Sequence, residues 1–171
     1  MAFFRTDGYI GGQNIADTSA TQNHALGQII EAQDGASTSN KGFAEFIYLK
    51  GVASTAIGSW VGYSPTLGTS VLATANGNYP LAVAMSACNT TTLFGWYQIS
   101  GIASALGLTS ITHSSGFLWL TGTAGSVDDA SVIGDAIVNA RKTTTVHVVG
   151  TFLDTYQINR PFTTNRVLLS N

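Results

Sequence analysis

The chain of 171 residues predicts an all-β fold, an antiparallel β-sandwich or barrel with an extended N-terminal arm. Three observations carry this. From residue 25 onward, short apolar and β-branched runs recur roughly every 8–12 residues, with Gly, Asn, Ser and Asp between them. Leu93-Phe94-Gly95-Trp96-Tyr97-Gln98-Ile99-Ser100-Gly101 is loaded on both faces of an extended strand. In it Leu93, Tyr97 and Ile99 point one way, and Phe94, Trp96 and Gln98 the other. Such a strand sits between two layers, or between a core and a partner. Finally, only 9% of the residues are charged, against about 25% in an ordinary soluble domain. Thr, Ser, Ala and Gly take their place, and a surface of that kind costs little to bury against another protein.

The elements follow in order. Residues 1–24 read as an arm, rich in Gly, Asn, Thr and Ser and without a sustained period. Phe3, Phe4, Tyr9 and Ile10 are scattered through it, so it is expected to lie across its own domain or to reach a neighbour. Arg5 and Asp7 add polar groups for the rim of such a contact. Residues 25–171 form a single β domain. Its strands are expected at 26–32, 43–49, 58–63, 71–73, 81–85, 93–101, 106–112 and 117–121. Asn76-Gly77-Asn78 and Ser114-Ser115-Gly116 supply turns, and Pro65 stops the third strand. At 132–140 a helical stripe and a strand compete. Gly134 and the following Thr143-Thr144-Thr145-Val146-His147-Val148-Val149 favour a hairpin of 132–139 with 145–152, turning near Arg141-Lys142. Phe43, Phe46, Ile47, Leu49, Trp96, Ile99, Phe117, Trp119, Val146 and Val148 are the expected core.

The chemistry-bearing residues are few. His24, His113 and His147 are far apart in sequence, and Cys88 has no partner for a zinc pattern. A tertiary site from His113, His147 and Asp135 is conceivable, but loop and strand histidines explain these residues more simply. No Gly-x-Ser-x-Gly elbow gives substance to a Ser-His-Asp triad, and Gly11-Gly12 is a joint, not a phosphate cradle. Asp128-Asp129 lacks the spaced ligands of a calcium loop. No catalytic residue, metal or cofactor is therefore expected. Seven Lys and Arg and a net charge of −2 give no basic stripe, so nucleic acid is not an expected partner. No apolar run reaches the length of about 18 residues that a membrane span needs. No signal peptide is evident, and the lone Cys88 fits synthesis in a reducing compartment as a buried, inert thiol. Trp60, Trp96 and Trp119 could stack on sugars, although such aromatics in β proteins usually form core.

Several segments, in order and spacing, resemble the head decoration or cement proteins of tailed bacteriophages. Leu26-Gly27-Gln28-Ile29-Ile30-Glu31-Ala32, with Glu45-Phe46-Ile47-Tyr48-Leu49-Lys50-Gly51 after a loop, is similar to that family's opening strand pair. Phe94-Gly95-Trp96-Tyr97-Gln98-Ile99-Ser100-Gly101 resembles its Gly-Trp-aromatic signature. Ala124-Gly125-Ser126-Val127-Asp128-Asp129 resembles the small-residue loop before its last hairpin. The resemblance covers residues 25–155 and leaves out the arm and residues 156–171. It implies a structural, non-enzymatic virion protein, made in the host cytoplasm and bound to the outer capsid surface. Its implied partner is the major capsid protein; the low charge and the two-faced strands add self-association, as a homotrimer, to the expectation. Phe3, Phe4, Arg5, Tyr9 and Ile10 are the candidate capsid or subunit contacts. A glycan-binding module of a tail spike or fibre is the alternative.

Overall fold

The computed structural model describes residues 3–5, 12–34, 42–108, 111, 116–143 and 153–163. Its strands are β1 (Phe3–Arg5), β2 (Thr18–Ser19), β3 (Ile29–Asp34), β4 (Phe43–Lys50), β5 (Trp60–Tyr63) and β6 (Ser70–Leu72). They continue as β7 (Leu81–Ala84), β8 (Phe94–Leu106), β9 (Leu118–Leu120), β10 (Val127–Asp128), β11 (Ala136–Lys142) and β12 (Leu153–Thr163). No helix occurs among the described residues. The strands pair antiparallel in the order β1-β3-β4-β8-β12-β11-β9-β10, with β2 and the β6-β5-β7 branch also joined to β8. The sheet curls into a half-barrel, so the all-β expectation holds.

β8 is the hub. Its first half pairs with β4, β2 and β7, and its second half with β12. The exchange of partners occurs at Gly101, which has φ 98°. There a Cβ would meet the Phe43 carbonyl oxygen at 2.9 Å, so this left-handed bend requires glycine. The β4/β8 register shifts beside it, between Glu45 and Phe46, as a bulge does when it bends a sheet. A second irregularity joins β11 to β12. Asn139 (φ 63°) and Arg160 (φ 48°) flank it. It accommodates Pro161, which has no N–H for the ladder.

Both faces of the central strands are buried, as the aromatic run predicts. Tyr97 and Ile99, with half-buried Leu93, join Ile47, Leu49, Val61, Ala82, Ala84 and Cys88 in one cluster. Trp96, with half-buried Phe94, joins Ile15, Ile30, Ala32, Ala44, Phe46 and Tyr48 in another. The largest cluster spreads from Trp60, Leu81 and Val83 to Leu118, Leu120, Ile137, Tyr156 and Ile158. One strand can thus face two cores: in β5 Trp60 enters the largest cluster and Val61 the second. Cys88 is fully buried, and burial pushes its thiol pKa up, against a smaller lowering by the Tyr97 hydroxyl nearby.

Several sequence expectations need correction. Phe43 and Phe117 lie on the outside, 61% and 76% exposed, and Trp119 is only half-buried. The alternation explains this. Leu118 and Leu120 take the inner positions of β9, which leaves Phe117 and Trp119 outward. Phe46, Ile47, Leu49, Trp96 and Ile99 are buried as expected. Residues 132–135 form a turn, and β11 starts at Ala136. Arg141 and Lys142 lie inside β11, whose partner is β12 through Lys142↔Tyr156, so no turn forms there. Residues 145–152, with Val146, Val148 and His147, lie outside the described residues, as do His113, Ser114 and Ser115.

Candidate interaction surface

The arm is built into the domain in two places. Phe3, Phe4 and Arg5 form β1 and pair with Asp34, Gln33 and Ala32 of β3. Among the described residues β3 is the only strand that β1 pairs with, so β1 is the edge of the described sheet. Tyr9 and Ile10 fall outside the described residues. Residues 12–24 cross the outer face of β4 and β8, where Ile15 is buried over the Trp96 cluster.

Gln13 fixes this crossing. Its amide nitrogen donates to the carbonyls of Asp17 (2.8 Å) and Phe94 (3.1 Å). Its side-chain oxygen accepts from the Tyr48 hydroxyl (2.8 Å) and Asn23 Nδ2 (3.2 Å). Its own carbonyl accepts from Trp96 Nε1 at 3.2 Å, and its N–H donates to His24 Nε2 at 3.3 Å. The His24 ring packs edge-on against Tyr48 (5.0 Å) and tilted against Trp96 (4.9 Å). Buried aromatics with polar tips need such partners, and the arm supplies them. Burial raises the Tyr48 pKa, and a hydrogen bond from the Asn23 backbone opposes the rise.

On the far side of the sheet an apolar row remains uncovered. Val138 of β11 stands opposite Phe162 of β12. Phe117, one residue before β9, extends the Leu118↔Ile137 register toward Val138. The three side chains are 76% (Phe117), 38% (Val138) and 37% (Phe162) exposed, and the Phe117 ring meets Trp119 edge-on at 6.3 Å. Beside the row runs a groove of about 560 Å³, lined by Phe117, Val138, Asn139, Arg141, Gln157 and Asn159 among others. Arg141 Nε is tied to Gln157 Oε1 at 2.9 Å. Sequence reasoning missed this row because it placed Phe117 in the core and gave no weight to Val138 and Phe162. All four residues 117–120 are apolar, so the sequence held no signal for which pair faces outward.

A second outward surface lies where β4 meets β12. Glu31 stands directly opposite Glu45 in the β3/β4 register, an arrangement that repels. Arg160 answers it with a forked pair of bonds to Glu45 at 3.0 and 3.1 Å.

Of the groups considered for metal chemistry, His113 and His147 lie outside the described residues. Among the described residues no three His, Cys, Asp or Glu side chains are grouped to hold a metal ion. Asp135 instead accepts from the Asn76 N–H, and Asp128 closes a local turn onto the Asp129 N–H. Compared with known protein families, curated proteins and solved structures, the chain has no match.

Proposed function

We propose that this chain is a structural, non-enzymatic virion protein that binds the outside of a phage capsid and holds neighbouring capsid subunits together. It would be made in the host cytoplasm and would need no cofactor. The observation that carries the reading is the exposed row of Phe117, Val138 and Phe162. It lies on an all-β body that carries little charge. Uncovered apolar surface of this kind marks a contact, and each Å² removed from water is worth about 25 cal/mol. β1, at the edge of the described sheet, offers a second contact, by strand addition. The segments that resemble cement proteins support the choice of partner. Stabilisation would follow linkage: a protein that binds only the intact shell adds about 2.7 kcal/mol per site at a hundredfold excess over Kd. We propose a homotrimer as the bound unit.

Binding of the purified protein to undecorated shells tests this, with copy number measured per particle. Hundreds of copies are expected. Saturation at a few copies, or no binding, overturns the reading. The double substitution Phe117→Ser with Val138→Ser should abolish binding while the fold persists. A glycan-binding module is the second reading. It is favoured by the groove, where the Phe117 ring stands near the amides of Asn139, Gln157 and Asn159 and the Arg141 guanidinium. An oligosaccharide array with saturable hits lost in Phe117→Ala would favour that reading.

A further inference from the structure

Lys142 and Asp154 form an ion pair inside the largest core cluster. Lys142 Nζ lies 3.1 Å from Asp154 Oδ2, and each side chain is 1% exposed. The amine also donates to the Ile111 carbonyl at 3.3 Å. The two residues come from adjacent strands. Lys142 stands opposite Tyr156 in the β11/β12 register, and Asp154 is two residues along β12, on the same face. Asp154 in turn stands opposite Ala105 of β8. The walls are Ile111, Ala105, Ala140 and Tyr156, all buried.

Taking both charges out of water is costly, and their attraction seldom repays it in full. Attack of an amine on a carboxyl carbon requires the amine free of its extra proton and the carboxyl protonated, and one proton passed along the 3.1 Å contact meets both requirements. The pair thus sets a nucleophile beside its electrophile. Once Nζ swings from Oδ2 onto Cγ, groups so aligned react as if at effective concentrations of about 10⁵–10⁸ M.

The Tyr156 hydroxyl completes the site. It is buried and has no hydrogen-bond partner among the described residues. It lies over Gly107, where a Cβ would meet the phenol oxygen at 2.4 Å and Asp154 Oδ2 at 3.3 Å. Phenol and carboxyl thus share one glycine-floored pocket. Burial above all keeps the phenol protonated, so it stays a donor.

We propose that Lys142 and Asp154 condense into an intramolecular isopeptide bond that ties β11 to β12. Nζ attacks Asp154 Cγ, and the new C–N bond forms a tetrahedral centre. The Tyr156 hydroxyl donates a hydrogen bond to the oxygen that gains charge. The Cγ–OH bond then breaks, and the hydroxyl leaves with an amine proton as one water. Nothing is oxidised or reduced, and a neutral amide replaces a buried ion pair.

Intact-mass measurement of the folded full-length protein tests the proposal. The expected mass is lower than that of the sequence by one water, about 18 Da. Proteolysis should release a branched peptide joining Lys142 to Asp154. Lys142→Ala should restore the full mass, which separates this linkage from dehydration confined to an aspartate. Asp154→Asn should lose ammonia in place of water, about 17 Da, and Tyr156→Phe should slow the mass change at least tenfold. Full mass in the wild-type protein after prolonged incubation, with no branched peptide, overturns the proposal. That readout needs no variant, so it decides even if the substitutions fail to fold.

Discussion

Replacing Gln13 by Ala should cost far more than a change in an irregular segment ordinarily does. Gln13 is 9% exposed and its side chain makes four hydrogen bonds, two donated and two accepted. Each such bond contributes about 0.5–1.5 kcal/mol net. Two losses weigh most. The Phe94 carbonyl loses a donor, and the Tyr48 hydroxyl keeps only the contact from the Asn23 N–H at 3.3 Å. The expected loss is about 2–4 kcal/mol. In a chain of this length 1 kcal/mol moves Tm by about 2–4 °C, so Tm should fall by about 5–15 °C. Gln13→Glu separates the two halves of the network. It keeps both acceptor contacts but sets a carboxylate against the carbonyls of Asp17 and Phe94, so it should destabilise at least as much as Ala. Urea titration followed by circular dichroism and by intrinsic fluorescence gives the free energy directly. A loss below about 0.5 kcal/mol for Gln13→Ala would show that residues 12–24 do not hold the Trp96 face closed.

Trp96→Ala should cost about 3–5 kcal/mol, because the indole is fully buried and bonded to the Gln13 carbonyl. Phe43→Ala, at a side chain that is 61% exposed, should stay within about 0.5 kcal/mol; thermal scans of the two variants side by side check both. Alkaline pH should unfold the protein early. Burial is the first cause of raised pKa values in Tyr97 and Tyr156, and raises those of Tyr48 and Tyr63 too, from the usual 10.0. The unfolded chain therefore loses phenol protons that the native state keeps. Their stabilisation is fully present below pH 10 and falls above it, by up to about 1.4 kcal/mol per pH unit for each group. Denaturation midpoints that stay flat from pH 9 to 11 would contradict this.

Much of the sheet was legible because local alternation writes it. Phe46, Ile47, Leu49, Trp96 and Ile99 read as core from sequence and are buried. What could not be read depends on pairing across distance. The polar residues between Gly12 and His24 read as part of an arm with no sustained period, yet Gln13 serves Tyr48 and Trp96, 35 and 83 residues away. Lys142 looked like a turn charge beside Arg141, and only the β11/β12 register puts it in the core with Asp154. Phe117 carried the apolar signal of a core residue, and no local rule says which parity of 117–120 faces inward. The candidate contact row was hidden for the same reason, since Val138 and Phe162 become neighbours only in the folded sheet.

The arm now divides into two jobs, and that changes what its deletion should do. Its aromatic and aliphatic content suggested apolar anchors for a partner. Part of that demand is met at home, since Ile15 is buried against the Trp96 cluster and β1 pairs with β3. Deleting residues 2–12 spares Gln13, Ile15 and His24 and so leaves the Trp96 face covered. It removes β1, which uncovers the edge of β3 but empties no described core cluster. The truncated protein should therefore stay folded, with a fall in Tm of no more than about 8 °C, equivalent to about 2 kcal/mol. If residues 3–10 also meet a neighbouring subunit through the side of β1 away from β3, shell binding should weaken at least tenfold, about 1.4 kcal/mol. Calorimetry and a shell-binding titration on the same preparation read the two effects separately. A folded truncation that binds shells at wild-type affinity would remove Phe3, Phe4, Arg5, Tyr9 and Ile10 from the contact. The row of Phe117, Val138 and Phe162 would then have to carry it.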